Sequence, residues 1–163
     1  MKKLLYLSMF LWFVLTGCTQ EKKEFTVLQW NIWQEGTMVP GGYEAIVDEI
    51  IRLRPDFVTL SEVRNYNNTN FTARLTRSLK EKGETYYSFY TYDTGLLSRY
   101  PITDSLTVFP ENGDHGSIYR LTTDMNGKKM AVYTSHLDYL DDAYYNVRGY
   151  DGSTWEEIPI PTT

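Results

Sequence analysis

The chain has 163 residues, and aromatic residues make up 15% of it, which is enough for the hydrophobic core of one domain. Its 21 acidic residues outnumber 16 basic residues, for a formal net charge of −5 at pH 7, and the Lys and Arg residues form no run. This charge excludes tight, metal-free binding of long DNA or RNA, which requires a clustered basic face. A divalent cation would supply the missing positive charge.

The first 17 residues have the form of a lipoprotein signal peptide. Met1-Lys2-Lys3 is basic, and Leu4 to Leu15 is apolar but too short to span a bilayer comfortably. Leu15-Thr16-Gly17-Cys18 resembles the bacterial lipobox, in which the signal is cut before the cysteine and the cysteine is acylated. Cys18 is the single cysteine of the chain, so no internal disulfide is possible, and lipid attachment explains it better than an isolated reactive thiol in an exported protein. An uncleaved N-terminal anchor helix is the alternative.

We therefore expect a signal peptide at residues 1–17, a polar tether at 18–24 and one domain at 25–163. Cleavage would remove two lysines and make the formal net charge −7. The protein would then lie in the bacterial cell envelope, outside the cytoplasm, and contact the membrane through lipidated Cys18. The sequence predicts no protein partner.

The domain begins with a predicted β-α-β unit. Phe25, Val27 and Trp30 suit a buried strand within residues 25–33, and Phe57–Leu60 suits a second buried strand. Between them, a loop rich in Gly and Pro precedes an amphipathic helix at 43–54 that Pro55 ends. The apolar stripe of that helix consists of Ile46, Val47, Ile50, Ile51 and Leu53.

Polar side chains follow both strands at the point where each strand ends. Because the crossover between parallel strands is right-handed, Asn31 and Glu62 should meet at one edge of the sheet, where α/β proteins bind ligands. An amide and a carboxylate oxygen are a reasonable start on a Mg²⁺ site. Considered alone, Asn31 is better explained as a turn residue than as a metal ligand. Glu62 considered alone is explained equally well as a solvated residue at a strand end and as a ligand.

The rest of the chain is predicted to be a loop, one helix and then an antiparallel meander. The helix has Phe71, Leu75 and Leu79 at four-residue spacing, and Asn126-Gly127 between alternating runs indicates a hairpin. The predicted elements are the loop 64–70, the helix 71–82, the strands 86–92, 95–98, 102–109, 117–124 and 128–135, and a polar loop at 111–116.

The last predicted strand delivers a third polar side chain, His136. A histidine at a strand end can hydrogen-bond a phosphate or polarise a substrate oxygen, because either protonation state is accessible near neutral pH. A packed, hydrogen-bonded histidine is the alternative. His115 lies in a Gly-rich loop and is interpreted as a surface residue.

Four short segments of the sequence, by their residues, order and spacing, resemble motifs of the endonuclease/exonuclease/phosphatase superfamily. They are Leu28–Ile32, Pro55–Val63, Gly95–Ile102 and Thr134–Leu137. The resemblance covers the chain from Phe25 to about Tyr150 and corresponds to the N-terminal portion of the family's domain. It implies an α/β (α+β) fold, part of a four-layer α/β sandwich with two mixed β-sheets.

The resemblance also implies an activity and a set of site residues. The family hydrolyses phosphoesters with Mg²⁺ or Mn²⁺. Glu62 corresponds to the family's principal metal ligand, Asn31 to the Asn that arranges the metal or water shell, and His136 to the His that contacts the scissile phosphate. Asp138, Tyr139 and Arg148 are candidates for the substrate pocket, although Arg148 fits a solvated surface charge equally well.

The sequence departs from the family at two motifs. The family's Gly-Asp-x-Asn and Ser-Asp-His motifs are absent, so the C-terminal half of the domain is expected to be missing and this chain to be inactive alone. The favoured function is a lipid-anchored, Mg²⁺-dependent phosphoesterase acting on a lipid, small-molecule or nucleic-acid phosphoester. The alternative is a non-catalytic surface lipoprotein that binds a glycan or phospholipid through tyrosines, most of which we expect in the core; these are Tyr86, Tyr87, Tyr90, Tyr92, Tyr144 and Tyr145.

Overall fold

A computed structural model describes residues 24–111, 116–125, 127–137 and 156. Several sequence predictions concern residues outside these ranges: the signal peptide, nearly all of the tether, Cys18, His115, Asp138, Tyr139, Tyr144, Tyr145 and Arg148. In the part of the chain that the structure describes, no helix is long and apolar enough to cross a membrane.

The first sheet contains the predicted β-α-β unit. Strand β1 (Val27–Asn31) leads through helix α1 (Gly42–Leu53) to strand β2 (Phe57–Val63), which pairs with β1 in parallel. Helix α2 (Phe71–Glu81) follows, and strands β3 (Tyr87–Ser88) and β4 (Asp93–Ser98) complete the sheet in the order β1-β2-β4-β3. Since β4 runs antiparallel to β2, the sheet is mixed.

The second sheet is antiparallel in its described strands. Strands β5 (Ile102–Phe109), β6 (Gly116–Met125) and β7 (Lys128–Leu137) pair in chain order, and the predicted hairpin joins β6 to β7. The two sheets pack face to face, and both helices cover the outer side of the first. The α/β fold with two packed sheets that the resemblance implied is therefore confirmed.

Two cores lie on opposite sides of the first sheet. One contains aliphatic side chains of the helices and of the first sheet, among them Ile46, Ile50, Leu75, Leu79 and Leu97. The other lies between the sheets and contains Phe57, Leu96, Tyr119, Leu121 and Met125. The central strands β2 and β4 are therefore buried on both faces, as continuous apolar runs in a covered sheet should be.

The predicted single meander is wrong, because its strands divide between the two sheets. Strand β4 pairs with β2, whereas β5 begins the second sheet after a bend at Arg99–Pro101. At the bend, the backbone N–H of Tyr100 donates to Ser98 Oγ, at 2.9 Å. Alternation along a strand shows which residues share a face, but it does not show which sheet the strand joins.

The predicted strand at 86–92 is also too long, since only Tyr87 and Ser88 form ladder bonds. The carbonyls that follow are bound by side chains instead. Phe89 O accepts from Thr72 Oγ1 at 3.0 Å, and Thr91 O accepts from Asn65 Nδ2 at 2.8 Å. Side-chain bonds from α2 and the preceding loop thus replace the sheet pairing that the aromatic pattern predicted.

Burial along β1 and at the end of α1 differs from the prediction. Phe25 and Val27 are 45% and 48% exposed, whereas Leu28 and Trp30 on the opposite face pack against the helical core. β1 is the outermost described strand of its sheet, and the second sheet pairs face to face with β2 and β4 rather than with β1. Leu53 is exposed because it ends its helix.

An aspartate anchors the start of the β-α-β unit at the edge opposite the strand ends discussed below. Asp56 accepts hydrogen bonds at Oδ2 from the backbone N–H of Thr26, at 2.8 Å, and at Oδ1 from Tyr100 Oη, at 3.0 Å. Partial burial by itself would raise the pKa of Asp56, but these hydrogen bonds outweigh it and hold the pKa below its ordinary value.

Candidate active site

Four strands bring polar side chains to one edge of the sandwich. Asn31 ends β1, Glu62 lies near the end of β2, Asp93 begins the antiparallel neighbour β4, and His136 lies near the end of β7. The parallel and antiparallel pairings place the ends of β1 and β2 and the start of β4 on the same side, and His136 joins them through its contact with Asp93. The structure thus brings together Asn31, Glu62 and His136, the three strand-end residues that the sequence singled out.

Asn31 and Glu62 are directly hydrogen-bonded. Asn31 Nδ2 donates to Glu62 Oε1 at 2.7 Å, while Asn31 Oδ1 accepts from the backbone N–H of Trp33 at 2.9 Å. These two bonds determine the orientation of the amide, because the reverse orientation would set its oxygen against the carboxylate. The amide nitrogen of Asn31 therefore faces Glu62, so Asn31 orients the carboxylate.

The second oxygen of Glu62 is held by the loop after β1. Glu62 Oε2 accepts from the backbone N–H of Gln34 at 2.9 Å. Glu62 itself has a φ of 68° and lies in a β-bulge between Ser61 and Val63. A bulge redirects a side chain at a sheet edge, and a non-glycine residue in the left-handed region costs of order 1 kcal/mol.

The loop after β1 is itself unusual. Residues Trp33, Gln34, Glu35 and Gly36 all have positive φ, between 43° and 74°. Three of these are not glycine, so the surrounding contacts must hold them in this conformation, and such strain concentrates at functional sites. The backbone N–H groups of Trp33 and Gln34, which bind Asn31 and Glu62, belong to this left-handed run.

Glu35 is a buried carboxylate that joins this loop to the loop after β2. Its Oε1 accepts from the backbone N–H groups of Arg64, at 3.0 Å, and Asn65, at 2.6 Å. Its Oε2 lies 3.6 Å from Arg74 Nη2 of α2, and the residue is only 1% exposed. Glu35 therefore fixes the strand-end segment that contains Glu62. The composition of residues 34–42 predicted only a loop and did not reveal this role.

His136 is paired with Asp93, a residue that the sequence analysis missed. His136 Nδ1 lies 2.8 Å from Asp93 Oδ1, and the same oxygen accepts from Arg64 Nη1 at 3.2 Å. Ser117 Oγ donates to Asp93 Oδ2 at 3.3 Å, and the carboxylate is buried. A carboxylate accepts only, so it selects the imidazole form with a proton on Nδ1 and directs Nε2 away from Asp93.

One member of each pair, Glu62 and His136, lines an open pocket of about 570 Å³. Its walls combine acidic, basic and aromatic side chains, from Trp33, Gln34, Glu62, Arg64, Tyr66, Tyr92 and His136. Two of the lining residues are hydrogen-bonded to each other, since Tyr66 Oη donates to Gln34 Oε1 at 2.7 Å. The lining thus includes one carboxylate, one histidine and one guanidinium, which is the set of groups expected around a metal cation beside an anionic group.

The chemistry of Glu62 fits a divalent cation. Each carboxylate oxygen accepts one described hydrogen bond and so keeps lone-pair capacity, and Mg²⁺ binds through one or two carboxylates together with waters and substrate phosphate. Within residues 24–111, 116–125 and 127–137, no group of three or more His, Cys, Asp and Glu side chains could hold a metal. The described part of the chain thus offers a site built around one carboxylate.

The tyrosines of the alternative binding hypothesis are divided between core and surface. Tyr86 is buried, its hydroxyl donates to Pro55 O at 2.7 Å, and burial raises its pKa to about 12. Tyr87 and Tyr90 are exposed, and Tyr92 lines the pocket. Among these four, one ring belongs to the core, so the expectation that most of these tyrosines lie there is wrong for the described ones, because the strand predicted at 86–92 pairs only at Tyr87 and Ser88.

The comparisons with known proteins agree with the two-sheet architecture. Humanized TDP2 from D. rerio with 14 mutations is 19% identical, with a TM-score of 0.54 over 75% of this chain and 50% of that one. An endonuclease/exonuclease/phosphatase family protein from Leptotrichia buccalis is 14% identical, with a TM-score of 0.53 over 74% of this chain and 56% of that one. ANGEL2, a 2',3'-cyclic phosphatase in complex with adenosine-2',3'-vanadate, is 16% identical, with a TM-score of 0.53 over 71% of this chain and 42% of that one.

At these identities the solved structures show a common fold, and the chain spans about half of their length. No curated protein sequence matches this chain. Residues 28–157, well over half of the chain, match the Endonuclease/Exonuclease/phosphatase family. The chain therefore belongs to the endonuclease/exonuclease/phosphatase family.

Proposed function

We propose that this chain carries the metal-binding and phosphate-binding part of a phosphoester hydrolase dependent on Mg²⁺ or Mn²⁺. The observation that supports it is that Glu62, oriented by Asn31, and His136, oriented by Asp93, border the same pocket. Both functional groups are supported by buried or backbone hydrogen bonds, as groups that must hold their geometry during catalysis should be. The structural relatives include a 2',3'-cyclic phosphatase.

Glu62 would hold the cation, which supplies charge neutralisation for the phosphate when it is bound. His136 would donate its Nε2–H to a phosphate oxygen as the imidazolium, which carries a proton on both ring nitrogens, while its Nδ1–H donates to Asp93. Arg64, which shares Asp93 with His136, adds a second positive group on the same wall. In the hydrolysis, a water oxygen bonds to phosphorus as the ester P–O bond breaks, and the leaving oxygen takes up a proton.

The further parts of the proposal concern residues outside the described ranges. Cys18 is proposed to carry lipid and to anchor the protein to the cell envelope, outside the cytoplasm, and Tyr139 and Arg148 to contact the substrate. Because the Gly-Asp-x-Asn and Ser-Asp-His motifs are absent from the sequence, we expect this chain to bind metal and phosphoester without turnover. Turnover is proposed for a protein in which those motifs complete the site.

Metal titration tests the proposal directly. Glu62→Gln removes the charged ligand while keeping the side-chain shape, and Glu44→Gln makes the same change at an exposed position in the first turn of α1. Isothermal titration with Mn²⁺ should show saturable binding to the unaltered chain and to Glu44→Gln, and at least tenfold weaker binding to Glu62→Gln. Equal affinity for all three proteins would contradict a metal site at Glu62.

The alternative function predicts a different outcome in the same experiment. A glycan-binding lipoprotein built on this scaffold should bind sugars without metal, and Glu62→Gln should leave that affinity unchanged. The exposed rings of Tyr87 and Tyr90 are the described residues that suit such a surface. Metal-independent sugar binding without Mn²⁺ binding would favour this alternative.

A further inference from the structure

An apolar groove of about 270 Å³ lies beside the candidate active site. It is formed by the end of β1, the loop after it and the first turns of α1. Its apolar walls are the side chains of Trp30, Ile32, Trp33, Val39, Ala45 and Ile46. The groove therefore differs in chemistry from the neighbouring pocket, whose walls carry charged side chains.

Two of the groove's large apolar side chains are open to solvent. Trp33 is 55% exposed and Val39 is 50% exposed, and both belong to the loop that contains the left-handed run. Trp33 is held in this conformation by the hydrogen bond from its N–H to Asn31 Oδ1. An exposed indole supported by a strained backbone indicates a ligand contact, because large apolar surface near a cleft marks recognition sites.

The groove and the pocket adjoin each other at a shared residue. Trp33 lines both of them. Asn31 lines the groove, Glu62 lines the pocket, and the two side chains are joined by a 2.7 Å hydrogen bond. A single ligand with its phosphate in the pocket can therefore extend past Trp33 into the groove.

The loop that forms the groove is closely packed against α1. Gly36 N donates to Ile32 O at 2.7 Å, and Gly42 N donates to Val39 O at 3.0 Å. A Cβ added at Gly42 would lie 2.1 Å from Gly36 O, so the two backbones touch. This contact fixes the groove wall before a ligand arrives, which lowers the entropic cost of binding.

We propose that this groove binds the apolar part of the phosphoester substrate, so that the substrate is an amphiphilic phosphoester. This inference rests on the proposed function, because it needs the phosphate to bind in the neighbouring pocket. An apolar cavity of roughly 150 Å³ holds one benzene molecule. The larger volume of this groove therefore suits an aliphatic chain or an apolar group bigger than one aromatic ring.

A series of n-alkyl phosphates from methyl to octyl tests the groove. Each is titrated calorimetrically, with Mg²⁺ and below its micelle concentration, into the full chain. A methylene that is fully buried strengthens binding about fourfold, and a methylene that contacts the groove wall on one side only strengthens it about twofold. Affinity should therefore rise about twofold to fourfold for each added carbon and level off when the groove is full. Affinity that does not rise with chain length would overturn the proposal.

Two variants change the groove without touching the residues of the pocket. Val39→Asp places a charge in its wall, and Ala45→Leu fills it from an exposed position of α1, where leucine is a good helix former. Both should flatten the dependence on chain length while methyl phosphate binds as before. Val108→Asp makes the same substitution at a similarly exposed valine of β5 and should preserve the dependence, whereas equal flattening by all three would overturn the proposal.

Hexanol and methyl phosphate separate this inference from the proposed function. If methyl phosphate binds with Mg²⁺ and longer chains bind no better, the proposed function stands and the groove proposal fails. If hexanol binds and Val39→Asp abolishes this, but methyl phosphate does not bind, the proposed function fails and a phosphoester is excluded as the ligand of the groove.

Discussion

Replacing Asp93 with asparagine tests whether this buried carboxylate positions the histidine of the site. Asp93→Asn keeps the size of the side chain and one acceptor oxygen, so His136 and Arg64 can each keep a hydrogen bond, now to an uncharged acceptor. The loss is the charge assistance of two bonds at a buried position. A hydrogen bond to a charged group is worth about 1 kcal/mol more than a neutral one, so we expect the free energy of unfolding to fall by roughly 2 kcal/mol.

Asp104→Asn is the matched control. Asp104 is also paired with an arginine, Arg120, and also lies on a strand, but its side chain is 59% exposed. An exposed ion pair contributes about 0 to 1 kcal/mol, so the control should lose much less stability than Asp93→Asn. Urea unfolding of the two variants and the unaltered chain gives both differences, with an unchanged dependence on urea concentration as the check on the folded state.

A second measurement separates positioning from stability alone. The ¹⁵N spectrum of His136 should show the Nδ1–H form in the unaltered chain and a larger share of the Nε2–H form in Asp93→Asn, because the neutral amide holds the proton less strongly. A His136→Gln variant assigns the signals against those of His115. If the two aspartate variants are equally stable and the tautomer does not change, the positioning role of Asp93 is refuted.

Three further predictions concern the supports of the site and the fold. Glu35→Ala should lower the free energy of unfolding by about 2 to 4 kcal/mol, because it leaves one buried and one partly buried N–H donor without their acceptor. Urea unfolding measures this, and a loss below about 0.5 kcal/mol would contradict it. Gly42→Ala should be far more destabilising than Gly83→Ala, because an added Cβ meets backbone only at Gly42; equal melting temperatures would contradict the packing argument. The pKa of Asp56 is lower in the folded than in the unfolded chain, so its stabilising contribution is present above about pH 4 and is lost as the pH falls through the folded pKa. The difference in free energy of unfolding between the unaltered chain and Asp56→Asn should therefore shrink at pH 3. A larger difference at pH 3 would contradict the assignment.

Much of the site could be predicted because it depends on local pattern and one general rule of handedness. Apolar runs followed by polar residues located Asn31, Glu62 and His136, and the right-handed crossover predicted that the first two meet. The distance between the Asn31 amide and the Glu62 carboxylate was not predictable. It depends on a bulge at Glu62 and on a left-handed loop, which composition does not reveal.

Asp93 and Glu35 show what the sequence did not reveal. Asp93 begins a short apolar strand, and its nearness to the site follows only if that strand pairs antiparallel with β2, which brings its start to the end of β2. A carboxylate that opens an apolar run is a signal that could have marked it. Glu35 had no such signal, because the groups that donate hydrogen bonds to its carboxylate are backbone N–H groups 29 and 30 residues away.

The sequence by itself determined the β-α-β unit, the hairpin and the three strand-end residues, because periodicity, turn chemistry and chirality act over short distances. The family was indicated separately, by the resemblance of four motifs. The tertiary structure alone decided which sheet each later strand joined, which face of β1 was covered, and which carboxylates became buried. Those outcomes depend on contacts between residues far apart in the chain. For the same reason, the groove next to Trp33 became visible only when the loop after β1 was seen packed against the first helix.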